Sequence, residues 1–429
     1  MKTIFNLSIE EINELIIISK KKKIVLSICP QIQLAPYLAT TLNEFFDANT
    51  QFLIFGNPKE TQLISNFPKL PNQRLLEISE YLRTSDKQNE FAEILFSFLL
   101  PFNKKNLTFI FHNFAAKCHG IFAEKILKSF PLYSESNFIF YSDGSRNNES
   151  SEAYQEVSGD LYESFKIEKF PNLKFVSFGF KHHIGKERDI DEIIDYSKIE
   201  IQFKKSSLAS NLIIDSFNLE KLENKKLLVI SRYLGREPYL FDESLISVPS
   251  LFSKSIEEIA DITKSKSIVI KFDNRFNLNK KVITKELEKK YTCFDFDYFC
   301  KNIPSFKYLM ENIIILNPHL LKSFKSIFCY DSSFPLIFQS NLLYSLLPPD
   351  ISIYCGFPEN LLKKYGSKNC KKLMHLRTYE TLISITKLNL FNIYSGKSLI
   401  YGKGDNKIFN EIDFKNYLIE GNGLFKLNP

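Results

Sequence analysis

The chain contains no tryptophan, three methionines and 14 glycines in 429 residues, and it has no Cys-x-x-Cys pair. The missing pair weakens zinc and dithiol readings. The seven cysteines are scattered and odd in number, mostly within apolar segments such as IVLSIC and KSIFCY, and read as free, buried thiols in a reducing compartment. No apolar run approaches the roughly 18 residues that a membrane-spanning helix needs. Met1-Lys2 leads into a strand-like TIFNLSI without a small-residue cleavage site, so no signal peptide is expected and a cytoplasmic location is. Also absent are GxSxG, HExxH, internal repeats and a low-complexity tail.

Charge of either sign is moderate. Lys and Arg number 56 against 49 Asp and Glu, a formal net charge of +7. A nucleic-acid binder carries a denser basic stripe, so nucleic acid is not an expected partner. One dense run exists, Lys20 to Lys23, between an amphipathic helix and an apolar strand. It reads as a solvated loop or as a contact for anionic lipid or charged glycan, with peripheral contact at the inner membrane left open. Phenylalanine (41) and tyrosine (20) are plentiful. With abundant Lys, Asn and Ile, this suggests AT-rich codon usage rather than function.

The length suits two domains of roughly 200 residues each. Apolar strands alternate with helices in the first half. TIFNLSI reads as a strand, and Ser8 followed by EEINELIIIS as a capped helix. KIVLSIC, QFLIFG, LTFIFH and NFIFY read as strands, with helices at LATTLNEFF and NFAAKCHGIFAEKILKSF between them. From about 145 to 225 the sequence turns polar and irregular. The alternation then resumes with KKLLVIS, SKSIEEIADITK, KSIVIKF and KKVITKELEKKY, followed by strands SIFCY and ISIYC. This predicts an α/β protein of two doubly wound, Rossmann-like domains facing across a cleft, the GT-B arrangement. The expected boundaries are 1–220, 221–400, and a segment 401–429 that packs back on the N-terminal domain.

Two stretches could carry chemistry. In FIFYSDGSRNN a strand ends and Asp143-Gly144-Ser145 come next at its carboxyl end, where open α/β sheets bind ligands. Gly144 permits a tight or positive-φ turn that aims the Asp143 carboxylate into a crevice, where it could take a proton from a sugar hydroxyl. An Asp-Gly turn after a strand is also a common structural device. In SIFCYDSSFPLIFQS, Ser332 and Ser333 fall where a helix begins, suiting either phosphate binding or an ordinary N-cap.

With these motifs in this order, the chain resembles the bacterial sialyltransferases of glycosyltransferase family 80. KTIFNLSIEEINEL matches that family's opening strand and helix, LTFIFHNFAAKCHG to NFIFYSDGS its D-D/E-G region, and YDSSFPL its paired serines. The resemblance implies a CMP-sialic acid donor, an oligosaccharide acceptor such as a galactose-type hydroxyl of lipooligosaccharide, and inversion without a metal or other cofactor. It implies Asp143 as general base, Gly144, Ser145, Ser332 and Ser333 on the donor side, and His112 or His119 at the acceptor. Ser142 stands at the motif's first acidic position. Where the family's His-Pro lies, IVIKFDNRF has Asp273-Asn274, and a carboxylate beside a departing phosphate is electrostatically wrong unless neutralised. Either His319 in ILNPHLL is the phosphate-side histidine, or Lys271 and Arg275 supply the positive charge, or the donor or activity has changed. The second is preferred here. Glu311 in SFKYLMEN stands one helical turn from Lys307 as the acidic ribose contact. Asp295-Phe-Asp297 and Asp189-Ile-Asp191 look like metal-binding DxD motifs, but strand or loop alternation accounts for them. His182-His183 lacks a partner at metal-ligand spacing.

Overall fold

A computed structural model describes residues 5–28, 35–56, 72–112, 118–142, 161–178, 191–194, 198, 201–202, 205, 213–214, 226–231, 244–272, 280–301, 318–330, 352–356, 361, 364–366, 392–395, 398–400 and 424–428. The chain divides into two compact units, Met1–Ala209 and Ser210–Pro429. This division falls before the boundary expected at 220.

In the first unit, helix α1 (Ile9–Ser19) starts at the expected cap. Glu11 N donates to Ser8 Oγ and Ser8 N donates to Glu11 Oε2, so two orphan amides are satisfied reciprocally. Of the strand expected before it, the described residues Phe5 and Asn6 form a turn and Leu7 an isolated bridge. Phe5 and Asn6 are left-handed, with φ of 55° and 60°. That conformation costs on the order of 1–2 kcal/mol per residue. The turn sends the Phe5 ring into the core against Phe55, Phe91 and Phe98, with centroids 5.1, 5.6 and 6.0 Å away.

The sheet of this unit has seven strands: β1 (Ile24–Ile28), β2 (Gln51–Gly56), β3 (Gln73–Glu77), β4 (Leu107–His112), β5 (Asn137–Ser142), β6 (Leu173–Phe178) and β7 (Glu192–Ile194). They form one all-parallel sheet in the order β3-β2-β1-β4-β5-β6-β7. Every residue of β1, β2 and β4 is buried. These strands therefore read as continuous apolar runs rather than as alternation. The helices after α1 are α2 (Ala35–Phe45), α3 (Ser85–Leu99), α4 (Cys118–Lys128), α5 (Phe130–Tyr133) and α6 (Leu161–Ile167). The sequence pattern does not reveal α3. It also predicts one helix running through Lys128, where the chain breaks at Ser129 and restarts as α5. Within the stretch expected to be irregular, α6 and β6 are regular elements.

The second unit repeats the pattern. Strands β9 (Lys226–Ile230), β10 (Ser267–Lys271), β11 (Thr292–Asp295), β13 (Ser326–Tyr330) and β14 (Ser352–Gly356) are parallel in the order β11-β10-β9-β13-β14. Helix α7 (Val248–Thr263) has Ser247 as N-cap and Pro249 in its first turn, and α8 (Lys280–Leu287) comes after β10. The sheet is extended by three antiparallel strands, β15 (Asn392–Ser395), β16 (Ser398–Ile400) and β17 (Leu424–Asn428). Strand β17 pairs with β14 and β15. That pairing satisfies backbone amides of residues 424–428 at the sheet edge. A small ribbon pairs β8 (Ile213–Ile214) with β12 (Cys300–Lys301). Cys293 and Cys329 are thiols rather than disulfide partners, and burial pushes the Cys293 pKa up to about 12.

Both units thus run outward in both directions from a first strand, β1 or β9, which is the doubly wound, Rossmann-like plan expected from sequence. Among the described residues no helix is long and apolar enough to cross a membrane.

The phenylalanine content finds its use in the first core. Phe138 is fully buried, with ring centroids 5.3 Å from Phe109, 4.9 Å from Phe165 and 5.1 Å from Phe170. Phe138→Ala is expected to destabilise the first unit by about 3–5 kcal/mol, and Phe138→Leu by clearly less. Urea unfolding followed by circular dichroism checks this. A loss below about 1 kcal/mol for the alanine variant would contradict this packing.

Candidate functional site

In a doubly wound sheet the carboxyl edge next to the first strand is where connections diverge and leave a crevice. In the first unit the relevant strands are β4 and β5, adjacent and in register from Thr108–Asn137 to His112–Tyr141. Phe109, Phe111, Phe138 and Phe140 point into the phenylalanine core. By the two-residue period of a strand, His112 and Tyr141 take the opposite face. Their rings meet edge to face with centroids 5.5 Å apart. His112 is 8% exposed, close to fully buried. Strand β5 ends at Ser142. The predicted Asp143, Gly144 and Ser145 come directly after it and lie outside the described residues. His119 sits in the first turn of α4, the helix that comes after the carboxyl end of β4.

In the second unit the strands flanking β9 carry the other predicted groups. Lys271 ends β10 opposite Ile230, and Cys329 of β13 pairs with Ile230 from the other side. Lys271 and the end of β13 at Tyr330 therefore share one carboxyl edge, separated by a single strand, or roughly 10 Å. Arg275, Glu311, Ser332 and Ser333 lie outside the described residues. His319 falls in a 3₁₀ turn, Pro318–Ser323, just before β13. That turn feeds the amino end of β13, the opposite edge of the sheet from Lys271.

The Lys271 side chain is 3% exposed, and its Nζ donates to Asp297 Oδ1 at 2.9 Å. Asp297 lies in the 3₁₀ turn Phe296–Phe299 that ends β11, and its amide donates to Asp295 Oδ1 at 3.1 Å. Lys280 at the start of α8 binds Asp295 Oδ2 at 2.7 Å, stands 3.9 Å from Asp297 Oδ2, and lies over the Phe272 ring at 4.9 Å. Asp295 and Asp297 thus do more than alternate along a strand. Among the described residues they pair with two lysines. No group of three or more metal-capable side chains occurs among the described residues. Sequence reasoning names Asp297 only within a DxD and passes over Lys280, because a Lys–Asp pair 26 residues apart has no local signature. The only hint is a DxD placed after an apolar strand.

No protein-family model and no curated protein sequence matches the chain. Similar solved structures include the UDP-N-acetylglucosamine 2-epimerase of Rickettsia bellii, at 11% identity and TM-score 0.42 over 74% of this chain and 76% of that one. A Neisseria meningitidis UDP-GlcNAc 2-epimerase bound to UDP-GlcNAc aligns at 12% identity and TM-score 0.37 over 85% and 91%. A glycosyl transferase of family 9 from Veillonella parvula aligns at 10% identity and TM-score 0.31 over 86% and 97%. These alignments are long and loose. The strand order of the two sheets is what defines the chain as an α/β protein of two Rossmann-like units.

A buried ion pair resists removal of one partner more than removal of both, because a lone buried charge is left desolvated. Lys271→Met is expected to destabilise the second unit by about 3 kcal/mol, the low end of the range, since Lys280 is near enough to screen Asp297. Adding Asp297→Leu should restore more than half of that loss. A double-mutant cycle by urea denaturation measures the coupling, and additive losses would show that the pair does not interact.

Proposed function

We propose that the protein is an inverting glycosyltransferase that moves sialic acid from CMP-sialic acid to a galactose-type hydroxyl of a surface oligosaccharide. The observation that carries this reading is the YSDGS stretch at the end of a parallel strand. Strand β5 stops at Ser142 on the carboxyl edge, so the residue immediately after it is an aspartate followed by glycine. A base there can be presented to a ligand while the strand stays fixed in the core. The YDSSFPL stretch bears a similar relation to the second sheet, coming after β13.

In this mechanism an Asp143 carboxylate oxygen removes the proton of the acceptor hydroxyl as its oxygen attacks the anomeric carbon of the sialyl group. The bond from that carbon to the phosphate oxygen breaks, and CMP departs with the bonding pair. Charge builds on the leaving phosphate, so hydrogen-bond donors and cations must face it. Ser145, Ser332 and Ser333 are assigned to the cytidylate, and Glu311 to its ribose. Of the candidate cations, His319 is the least suited, because its turn precedes β13 and belongs to the amino edge. Lys271 is held by Asp297 at 2.9 Å, so the remaining positive charge near the phosphate is assigned to Arg275, with Lys271 in support. For the acceptor we choose His119 over His112. His112 is buried against Tyr141, whereas His119 begins the helix that leaves the carboxyl edge.

Asp273-Asn274 in place of His-Pro, together with a Lys271 already engaged by a carboxylate, favours a second reading. In it the chain binds nucleotide or glycan without turnover. Replacing Asp143 separates the two. Asp143→Ala and Asp143→Asn should lower transfer to lactose by on the order of 10²–10⁴-fold while CMP affinity stays unchanged. If both variants kept the wild-type rate, Asp143 could not be the base. Tight CMP binding with no turnover in the wild type would establish the second reading.

A further inference from the structure

The first unit carries a basic surface at the amino edge of its sheet, opposite the end of β5. Lys20, Lys21, Lys22 and Lys23 are all exposed, and none of them makes an ion pair among the described residues. They are held in a defined place. The amides of Lys20, Lys21 and Lys22 close the end of α1 on the carbonyls of Ile17 and Ile18, and the Lys23 carbonyl accepts from the amide of Gln51 at 3.0 Å. Lysine at a helix C-terminus is favourable through the last turn, which accounts for Lys20 and Lys21 but not for the next two. Of the acidic side chains on this edge, Asp47 turns its Oδ1 to the Asn49 amide and Thr50 hydroxyl, and Glu135 pairs with Lys105 at 3.1 Å. The lysine run is left positive.

Two large aliphatic side chains accompany it. Ile17, one turn before Lys20 on the outer face of α1, is 56% exposed, and Leu100, which caps α3, is 49% exposed. The segment after Leu100 is tied to the end of α1: the Asn103 amide donates to Ser19 Oγ at 3.1 Å and Asn106 Nδ2 to the Ser19 carbonyl at 2.8 Å. One edge of the unit therefore presents four lysines, whose stems can lie along an apolar boundary while their ammonium groups stay wet, flanked by isoleucine and leucine.

We propose that this edge is a docking surface for an anionic phospholipid bilayer. Ile17 and Leu100 would enter the headgroup boundary and Lys20–Lys23 would meet the anionic headgroups. An anionic glycan would satisfy the lysines but has no use for exposed aliphatic side chains, since sugar rings are recognised by aromatic faces and hydrogen bonds. Docking here leaves the carboxyl edge of the same sheet turned away from the bilayer. The inference stands whether or not the transferase reading holds.

The test is sedimentation of the full chain with large vesicles of phosphatidylcholine, or of phosphatidylcholine and phosphatidylglycerol in equal parts. Binding is expected only with phosphatidylglycerol and should weaken as salt rises. The variant with Lys20, Lys21, Lys22 and Lys23 each changed to Gln should lose on the order of 1000-fold in partition coefficient. Ile17→Ser should lose several-fold with the same salt dependence. Unchanged thermal unfolding of both variants shows that the losses are local. Equal binding to neutral vesicles, undiminished binding by the four-lysine variant, or binding to a soluble anionic polysaccharide with none to vesicles would each overturn the proposal.

Discussion

Parallel pairing of β4 with β5, in the register that sets His112 opposite Tyr141, is the constraint on which the first unit turns. A parallel strand must be covered on both faces, and here one face is covered by rings: Phe109, Phe111, Phe138 and Phe140 join the buried cluster with Phe122 and Phe165. Because those rings fix the strand, its carboxyl end cannot slide. A one-residue slip would exchange the phenylalanine face for the His112–Tyr141 face. The position of Ser142, the last residue of β5, is therefore set by packing in the core.

The second unit obeys the same rule with different chemistry at its edge. Ile268 and Ile270 face its apolar cluster, and the alternation leaves Lys271 on the other face, where it would be a buried unpaired cation but for Asp297. Among the described residues, Asp295 and Lys280 extend the pair. In the first unit the strand end is secured by aromatic packing, in the second by ion pairing. An edge organised in this way holds Lys271 and Asp297 in place against each other.

The same physics decides how much of the fold is legible in the sequence. Strands β1, β2, β4, β5, β9, β10 and β13 stand out because burial on both faces makes them uninterrupted apolar runs, and β14 stands out by its apolar SIYC stretch. The capping box at Ser8 is legible because it is local. The left-handed pair at Phe5 and Asn6 is not, since it exists to bury the Phe5 ring against residues as distant as Phe98. Strand β6 and helix α6 are hidden in a polar stretch, where Leu161, Tyr162, Phe165, Phe170 and Phe175 commit to the core without an uninterrupted apolar run. The Lys271–Asp297 pair is invisible for the reason that most tertiary pairs are: each partner looks ordinary in its own segment. Of the candidate site, the strands leading to Asp143 and to Ser332 are legible, while the electrostatic partner of Lys271 is not.

The central claim is that this two-sheet chain transfers sialic acid with inversion, using the residues that come after β5 and β13. Proton NMR of the protein mixed with CMP-sialic acid and lactose tests it most directly. The account predicts release of CMP together with a sialyl-lactose whose anomeric configuration is opposite to that of the donor. A product of retained configuration, or a donor left intact beside unmodified lactose, would contradict it.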